Sequence, residues 1–437
     1  YGRLPDQVPE ECLPHILTGL REAPDRPGPL LWVYPFDEYH RWTFKPPQRL
    51  EEVFFGDWFV RGAVNRGLPL NTVISTTSLT SVLSKQADRF AASVLFSPVP
   101  DADTPWEQAL LDHCRAGGSA ILYGPLTHSS HRLRERLGVD LETPLEGAFT
   151  VESPLPADRL GKNDEADRLV HHPRICAGGL RAVPRPAQTG DTLVCLRQGE
   201  NTRTALATRQ PRDSEGRLVW IRGTVSCHPE QTGGHLLNPL DPRKAFPAEV
   251  LARRALTLTG TDLGVRKETA AQRDPMLCIS RHRNAFYLAG HAPDTTVEQH
   301  LRFPWGAPLL LGYDTELENG SAVYRMPPAW RHECRVFVEQ KHGRIGCRDK
   351  APHNYARCLL VTGLENARIR FFPEPGTEDS VRMLRNPRHP FLDGDFLELT
   401  HENTPAGPAL TACNVTGAVM IMHTFAHDPP RGVPQPE

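Results

Sequence analysis

Between residues 28 and 123 short apolar runs alternate with segments of helical period, and this constrains the fold more than any other feature. PLLWVYPF, residues 29–36, is a continuous apolar run of the buried-strand type. Residues 48–66 then place Leu50, Val53, Phe54, Phe59 and Val64 on or near one helical face, closed by Gly67. Residues 70–75, 92–96 and 120–123 read as further strands, and 106–116 as a helix ended by Gly117-Gly118. Strands that alternate with helices imply right-handed crossovers and a parallel sheet covered on both faces. A strand at 218–221 and a helix at 247–258 read as the closing unit, and the turn-rich stretch 150–212 as an insertion or lobe.

Past Gly264 the pattern changes. VRKETAAQRD reads as a polar linker, followed by runs of period-two alternation at 285–289, 309–313, 322–326, 335–340, 358–362, 367–372, 396–400 and 415–423. Glu318-Asn319-Gly320 and Lys341-His342-Gly343 carry turn residues between them. Short strands at this spacing predict a β-sandwich over 272–430. Its aromatic residues Trp305, Tyr313, Tyr324 and Trp330 read as core. The expected fold class is therefore α/β plus all-β: an N-terminal helix and linker over 1–27, a parallel-sheet domain over 28–263, and the sandwich.

Composition narrows the partners. In 437 residues, 50 basic side chains face 52 acidic ones without any block of like charge, which argues against nucleic acid and anionic membrane. The longest apolar runs, such as 307–311, are far too short to span a bilayer, and the first residues carry no signal-peptide pattern. None of the ten cysteines forms a C-x-x-C pair, so no metal site of ordinary spacing is expected, and no cofactor. Reduced thiols in a cytoplasmic protein are the reading that follows. Tyr1 is not an initiator methionine, and the chain reads as the later part of a longer or processed protein.

Two stretches carry candidate chemistry. VSCHPEQTGG, residues 225–234, contains His228-Pro229-Glu230, which resembles the His-Pro-Glu that supplies the base and its orienting carboxylate in class I glutamine amidotransferases. That chemistry also needs a cysteine on the turn after the strand at 120–123. The turn reads Gly124-Pro-Leu-Thr-His-Ser-Ser130, with no thiol; Cys114 lies in the preceding helix, Cys227 on the wrong segment, and Ser129 and Ser130 lack glycine flanks. Glutamine hydrolysis is therefore not expected. PFDEYHRW, residues 35–42, stands at the carboxyl end of the first strand, where open parallel sheets bind ligands. Asp37, Glu38, His40 and Trp42 offer carboxylates, an imidazole and an aromatic face to a sugar. A strand-end loop with a capping role is the competing reading.

The segment ALLDHCRAGGSAILYGP, with the order of elements around it, resembles the amidotransferase-like (β-galactosidase trimerisation) domain of bacterial glycoside hydrolases. The shared feature is a helix ending in Gly-Gly before an apolar strand, within residues 28–263. The resemblance implies a flavodoxin-like sheet between an upstream catalytic (β/α)₈ barrel and a β-rich domain, with carbohydrate as ligand and a homo-oligomer as a possible assembly. Two functions stay open at this point. One is the non-barrel portion of a glycoside hydrolase, supporting substrate binding and assembly; the other is a self-standing carbohydrate-binding or assembly protein without catalysis.

Overall fold

A computed structural model describes residues 23–65, 67–154, 168–171, 180–186, 191–211, 215–222, 249–267, 275–292, 296–353, 356–388 and 393–424. Residues 1–22, with the anticipated N-terminal helix, and the His228-Pro229-Glu230 motif lie outside them. The described chain is β-rich.

Among the described residues eleven strands precede residue 222: β1 Leu30–Tyr34, β2 Thr72–Ser75, β3 Val94–Pro98, β4 Ser119–Tyr123, β5 Val139–Leu145, β6 Gly147–Glu152, β7 Arg168–His171, β8 Leu180–Pro184, β9 Thr192–Gln198, β10 Asn201–Thr208 and β11 Leu218–Ile221. Six helices accompany them among the described residues: α1 Phe36–Phe44, α2 Leu50–Asn65, α3 Thr76–Leu83, α4 Pro105–Arg115, α5 His131–Leu137 and α6 Glu249–Thr257. Nine of the strands form one sheet in the order β2-β1-β3-β4-β11-β10-β9-β6-β7, while β5 and β8 pair apart. The pairs from β2 through to β11 are parallel. From β11 onwards the sheet continues antiparallel. The stretch expected as an insertion or lobe thus mostly extends the same sheet.

Strand periodicity sorts the side chains onto two faces. Leu31, Val33, Leu95, Ala120, Leu122, Leu218 and Trp220 pack with Leu79 of α3, Trp106 and Leu110 of α4, and Leu133 and Leu137 of α5. Leu30, Phe96, Ile121, Tyr123, Val219 and Ile221 pack with Phe59, Val60 and Ala63 of α2 and Leu251, Ala252 and Ala255 of α6. Fully burying one such large apolar side chain contributes about 1.5–3 kcal/mol. Gly117-Gly118 ends α4 by two separate devices. Gly117 takes φ +94°, which L side chains rarely adopt. Gly118 lets the His113 ring lie against the backbone: a Cβ there would stand 2.1 Å from His113 Cε1.

The linker reading of Val265 onwards needs correction, because β12, Asp262–Lys267, pairs antiparallel with Val297–Arg302. Buried Leu263 and Val265 seat it, and Asp262 accepts a hydrogen bond from Ser321 Oγ at 2.7 Å. The polar letters that follow concealed this two-residue alternation. β12 opens a twelve-stranded, largely antiparallel sheet, against which a three-stranded sheet of Met276–His282, Ala285–His291 and Ala329–Cys334 packs. Phe286 makes that contact, its ring centroid 5.2 Å from Phe337 and 5.6 Å from Trp305.

Several strand limits also shift. The runs at 358–362 and 367–372 are parts of one strand, Ala356–Phe371, which pairs with Gly343–His353 near its start and Val336–Glu339 near its end. Residues 309–313 and 396–400 mostly join strands instead of forming them. Asn319-Gly320, at φ +51° and +81°, does form the two-residue hairpin turn expected of it. The two halves share one core cluster, in which Leu277 and Ile279 meet Leu30 and Phe59. Asn71 donates to Ile279 O at 3.1 Å and accepts from Ile279 N at 3.1 Å.

Candidate functional site

The carboxyl ends of β1, β3 and β4 meet where the chain first leaves the sheet in both directions, the place where parallel sheets bind ligands. PFDEYHRW is there, but as helix α1 and not as a loop. Asp37 and Glu38 stand in its first turn, where the helix dipole favours anions, and Tyr39 and Trp42 at i and i+3 turn inward.

A helix disperses the four predicted residues, since successive positions rotate by about 100°. Asp37 is exposed and accepts a hydrogen bond from Thr77 Oγ1 at 2.7 Å. Glu38 is half-buried and accepts one from Thr76 Oγ1 at 2.8 Å. Both carboxylates thereby tie α1 to the start of α3. His40 is exposed and packs on Phe44 with ring centroids 5.0 Å apart. Trp42 is only 6% exposed and lies under the Arg49 guanidinium, whose Cζ is 3.9 Å from the ring centroid. Its aromatic face is thus occupied by the protein itself, which removes the stacking platform anticipated for a sugar.

The groups that do converge come from three connections between strands. Arg49 precedes α2, Asp101 follows β3 and His128 follows β4. Arg49 donates through Nη1 to Asp101 Oδ1 at 2.7 Å and through Nη2 to Glu52. The other Glu52 oxygen lies 3.5 Å from His128 Nε2. Burial opposes ionisation of Glu52, but His128 and Arg49 outweigh it and hold the carboxyl below its usual 4.5. Burial likewise disfavours the Arg49 charge, yet Glu52 and Asp101 push its pKa above the ordinary guanidinium value.

Around Tyr39, Trp42, Glu52, Tyr123 and Gly124 this leaves a cavity of about 20 Å³. That holds one water, whereas small-molecule sites need about 300–1,000 Å³. Sequence reasoning missed Arg49, Glu52, Asp101 and His128. The strand-end rule, applied to β3 and β4 as well as to β1, would have drawn attention to Asp101 and His128.

The side chains of the turn after β4 are engaged in local structure. Gly124, at φ +110°, is the first residue beyond the strand, and its carbonyl accepts a hydrogen bond from Trp220 Nε1 at 2.9 Å. Ser129 donates to Leu126 O at 2.7 Å. Ser130 caps α5, accepting from Leu133 N at 3.0 Å and donating to buried Glu107. Both hydroxyls are structural. Cys114 is fully buried in α4, and burial pushes its thiol up to about 12, so no thiolate forms near neutral pH. Among the described residues no group of three or more His, Cys, Asp or Glu is placed to hold a metal ion, and no helix is long and apolar enough to cross a membrane.

No family model matches the sequence, nor does any curated protein. Among solved structures the chain is similar to the alpha-L-fucosidase isoenzyme 2 from Paenibacillus thiaminolyticus, at TM-score 0.36 and 9% identity, over 96% of this chain and 51% of the fucosidase. It is also similar to the exo-beta-1,4-mannosidase Op5Man5 from Opitutaceae bacterium strain TAV5, at TM-score 0.29 and 10% identity, over 48% and 33%. The chain thus spans about half the length of the fucosidase. Both neighbours are, by name, glycoside hydrolases.

Proposed function

We propose that this chain is the non-barrel portion of a carbohydrate-active enzyme, a glycoside hydrolase, and serves substrate binding and assembly while the bond is cleaved elsewhere. The observation that carries this reading is a parallel sheet whose ligand crevice is filled by its own Trp42, Arg49, Glu52, Asp101 and His128. The turn that would bear a nucleophile offers Gly124 instead. The order β2-β1-β3-β4-β11 supports the amidotransferase-like assignment, being that of flavodoxin-like sheets. On this reading an amidotransferase-like domain runs from residue 28 to the start of β12, and a β-sandwich from β12 to about 430. Of the sugar contacts expected on α1, Asp37 and His40 are the exposed ones, and Glu38 and Trp42 set the position of the helix. The proposed partners are carbohydrate, a catalytic barrel and further copies of the chain, in the cytoplasm.

The test is turnover by the chain alone. Incubated with aryl β-galactosides, β-mannosides and α-L-fucosides, and separately with L-glutamine, it should release neither phenolate nor ammonia above the uncatalysed rate. Hydrolysis of any of these that disappears in Glu52→Gln would overturn the reading, because the filled crevice would then be an active site.

A further inference from the structure

A second concavity lies on the β-rich half. Its volume is about 830 Å³, within the range of small-molecule sites and some forty times that of the filled crevice. It is built where turns meet: Gly260 before β12, Pro304 after Val297–Arg302, Gly320 in its hairpin, Gln340–His342 beside Val336–Glu339, and Asn366 within the long strand. Lys341-His342-Gly343 joins two strands that pair one after the other along the same edge of Ala356–Phe371, so this turn interrupts that edge at the groove.

The wall is held by close backbone packing. A Cβ on Gly306 would meet Val338 carbonyl atoms at 3.0 Å, and one on Gly343 the Gln340 side chain at 2.8 Å. Gln340 fixes the neighbouring turns by donating to His342 O at 2.8 Å and accepting from Glu365 N at 2.9 Å. Loops set on a rigid scaffold in this way are common carriers of binding function.

Charge selects the ligand. Glu339 is spent on Arg370, 2.7 Å away. Arg302 lines the groove, and its Nε is buried without a hydrogen-bond partner among the described residues. Exposed Lys341 adds a second cation, opposed by the rim carboxylate of Glu365. The half-exposed Arg302 guanidinium that lines the groove matches a carboxylate, and the exposed Asn366 amide and Glu365 carboxylate match hydroxyls.

We infer that this groove binds a carboxylated saccharide, a uronate oligomer, with Arg302 on the carboxylate. The carbohydrate class rests on the proposed function; the acidic class and the place rest on the groove.

Calorimetric titration of the whole chain tests the inference with tri-galacturonate, its neutral counterpart galactotriose, and citrate as a carboxylate without a sugar ring. Tri-galacturonate should bind at least tenfold more tightly than either of the others. Arg302→Ala should weaken it by about tenfold or more, the loss expected of a charged hydrogen-bonded contact. Lys341→Ala, on an exposed turn that tolerates substitution, should weaken it by about twofold to threefold. Equal binding of galactotriose, unaffected by either substitution, overturns the inference and leaves the proposed function standing. Equal binding of citrate overturns the saccharide assignment, and no binding of tri-galacturonate overturns the site itself. Neither result touches the turnover assay, which judges the proposed function separately.

Discussion

Gly118→Ala gives the sharpest test of how the parallel sheet is built. The backbone at Gly118 does not require glycine, so the whole cost must come from space. A Cβ there would lie 2.1 Å from His113 Cε1, 2.2 Å from Nε2 and 2.6 Å from Cδ2, where ordinary contact begins near 3.4 Å. The ring edge would have to retreat by about 1.3 Å. It is 2% exposed, and burial holds the imidazole neutral with its pKa pushed down to about 4. Retreat therefore means lifting α4 from β4. Overpacking of this kind costs about 1–3 kcal/mol.

Gly117→Ala next to it costs a similar ~1–2 kcal/mol for a different reason, its φ of +94°. A double-mutant cycle separates the two. In a His113→Ala background Gly118→Ala should recover about 1–2 kcal/mol, and Gly117→Ala should recover nothing. Urea unfolding followed by tryptophan fluorescence is suited to the measurement, because five of the seven tryptophans precede residue 223. If Gly118→Ala costs the same in both backgrounds within about 0.5 kcal/mol, the ring contact is not what the glycine serves.

Trp42→Ala should lower stability by about 3–5 kcal/mol, as a buried ring does, and thermal unfolding reads it; a loss below about 1 kcal/mol would return Trp42 to the surface. Glu52 gives an acid-side signature. A carboxyl held below 4.5 contributes stability that is full above that value and lost as pH falls through the folded pKa, so Glu52→Gln should flatten the stability profile below about pH 4.5. Exposed Cys278 and Cys413 should react with a thiol reagent near pH 8, while buried Cys114 and Cys347, both pushed up to about 12, should react only after unfolding. Mass spectrometry of the labelled peptides reads that order.

The parallel strands were legible because burial on both faces writes continuous apolar runs, as in LLWVY of β1. α1 was not, since its nine residues follow Pro35 directly and carry only Tyr39 and Trp42 on the inner side. A loop and a short one-sided helix spell alike at that length. β12 was hidden for a related reason: Leu263 and Val265 are two apolar letters before a charged run. The site escaped for a geometric one. Arg49, Asp101 and His128 belong to three connections, and only the order of the sheet brings them within hydrogen-bonding distance. By contrast the absent nucleophile was plain in the sequence, because a tight turn after β4 leaves few positions for one.

The place of β11 in the sheet has a consequence for how the protein is made. Ala120 of β4 pairs with Leu218 of β11, about a hundred residues later in the chain. All four residues from Ala120 to Tyr123 end up essentially inaccessible to water. At about 5–20 residues per second, a ribosome takes some 5–20 s to deliver the strand that covers them. Over that interval the nascent chain presents a bare apolar edge with unpaired amides and carbonyls, the kind of template on which strands of other molecules add. Slower translation or a smaller holdase supply should therefore lower soluble yield even where the stability of the finished fold is unchanged.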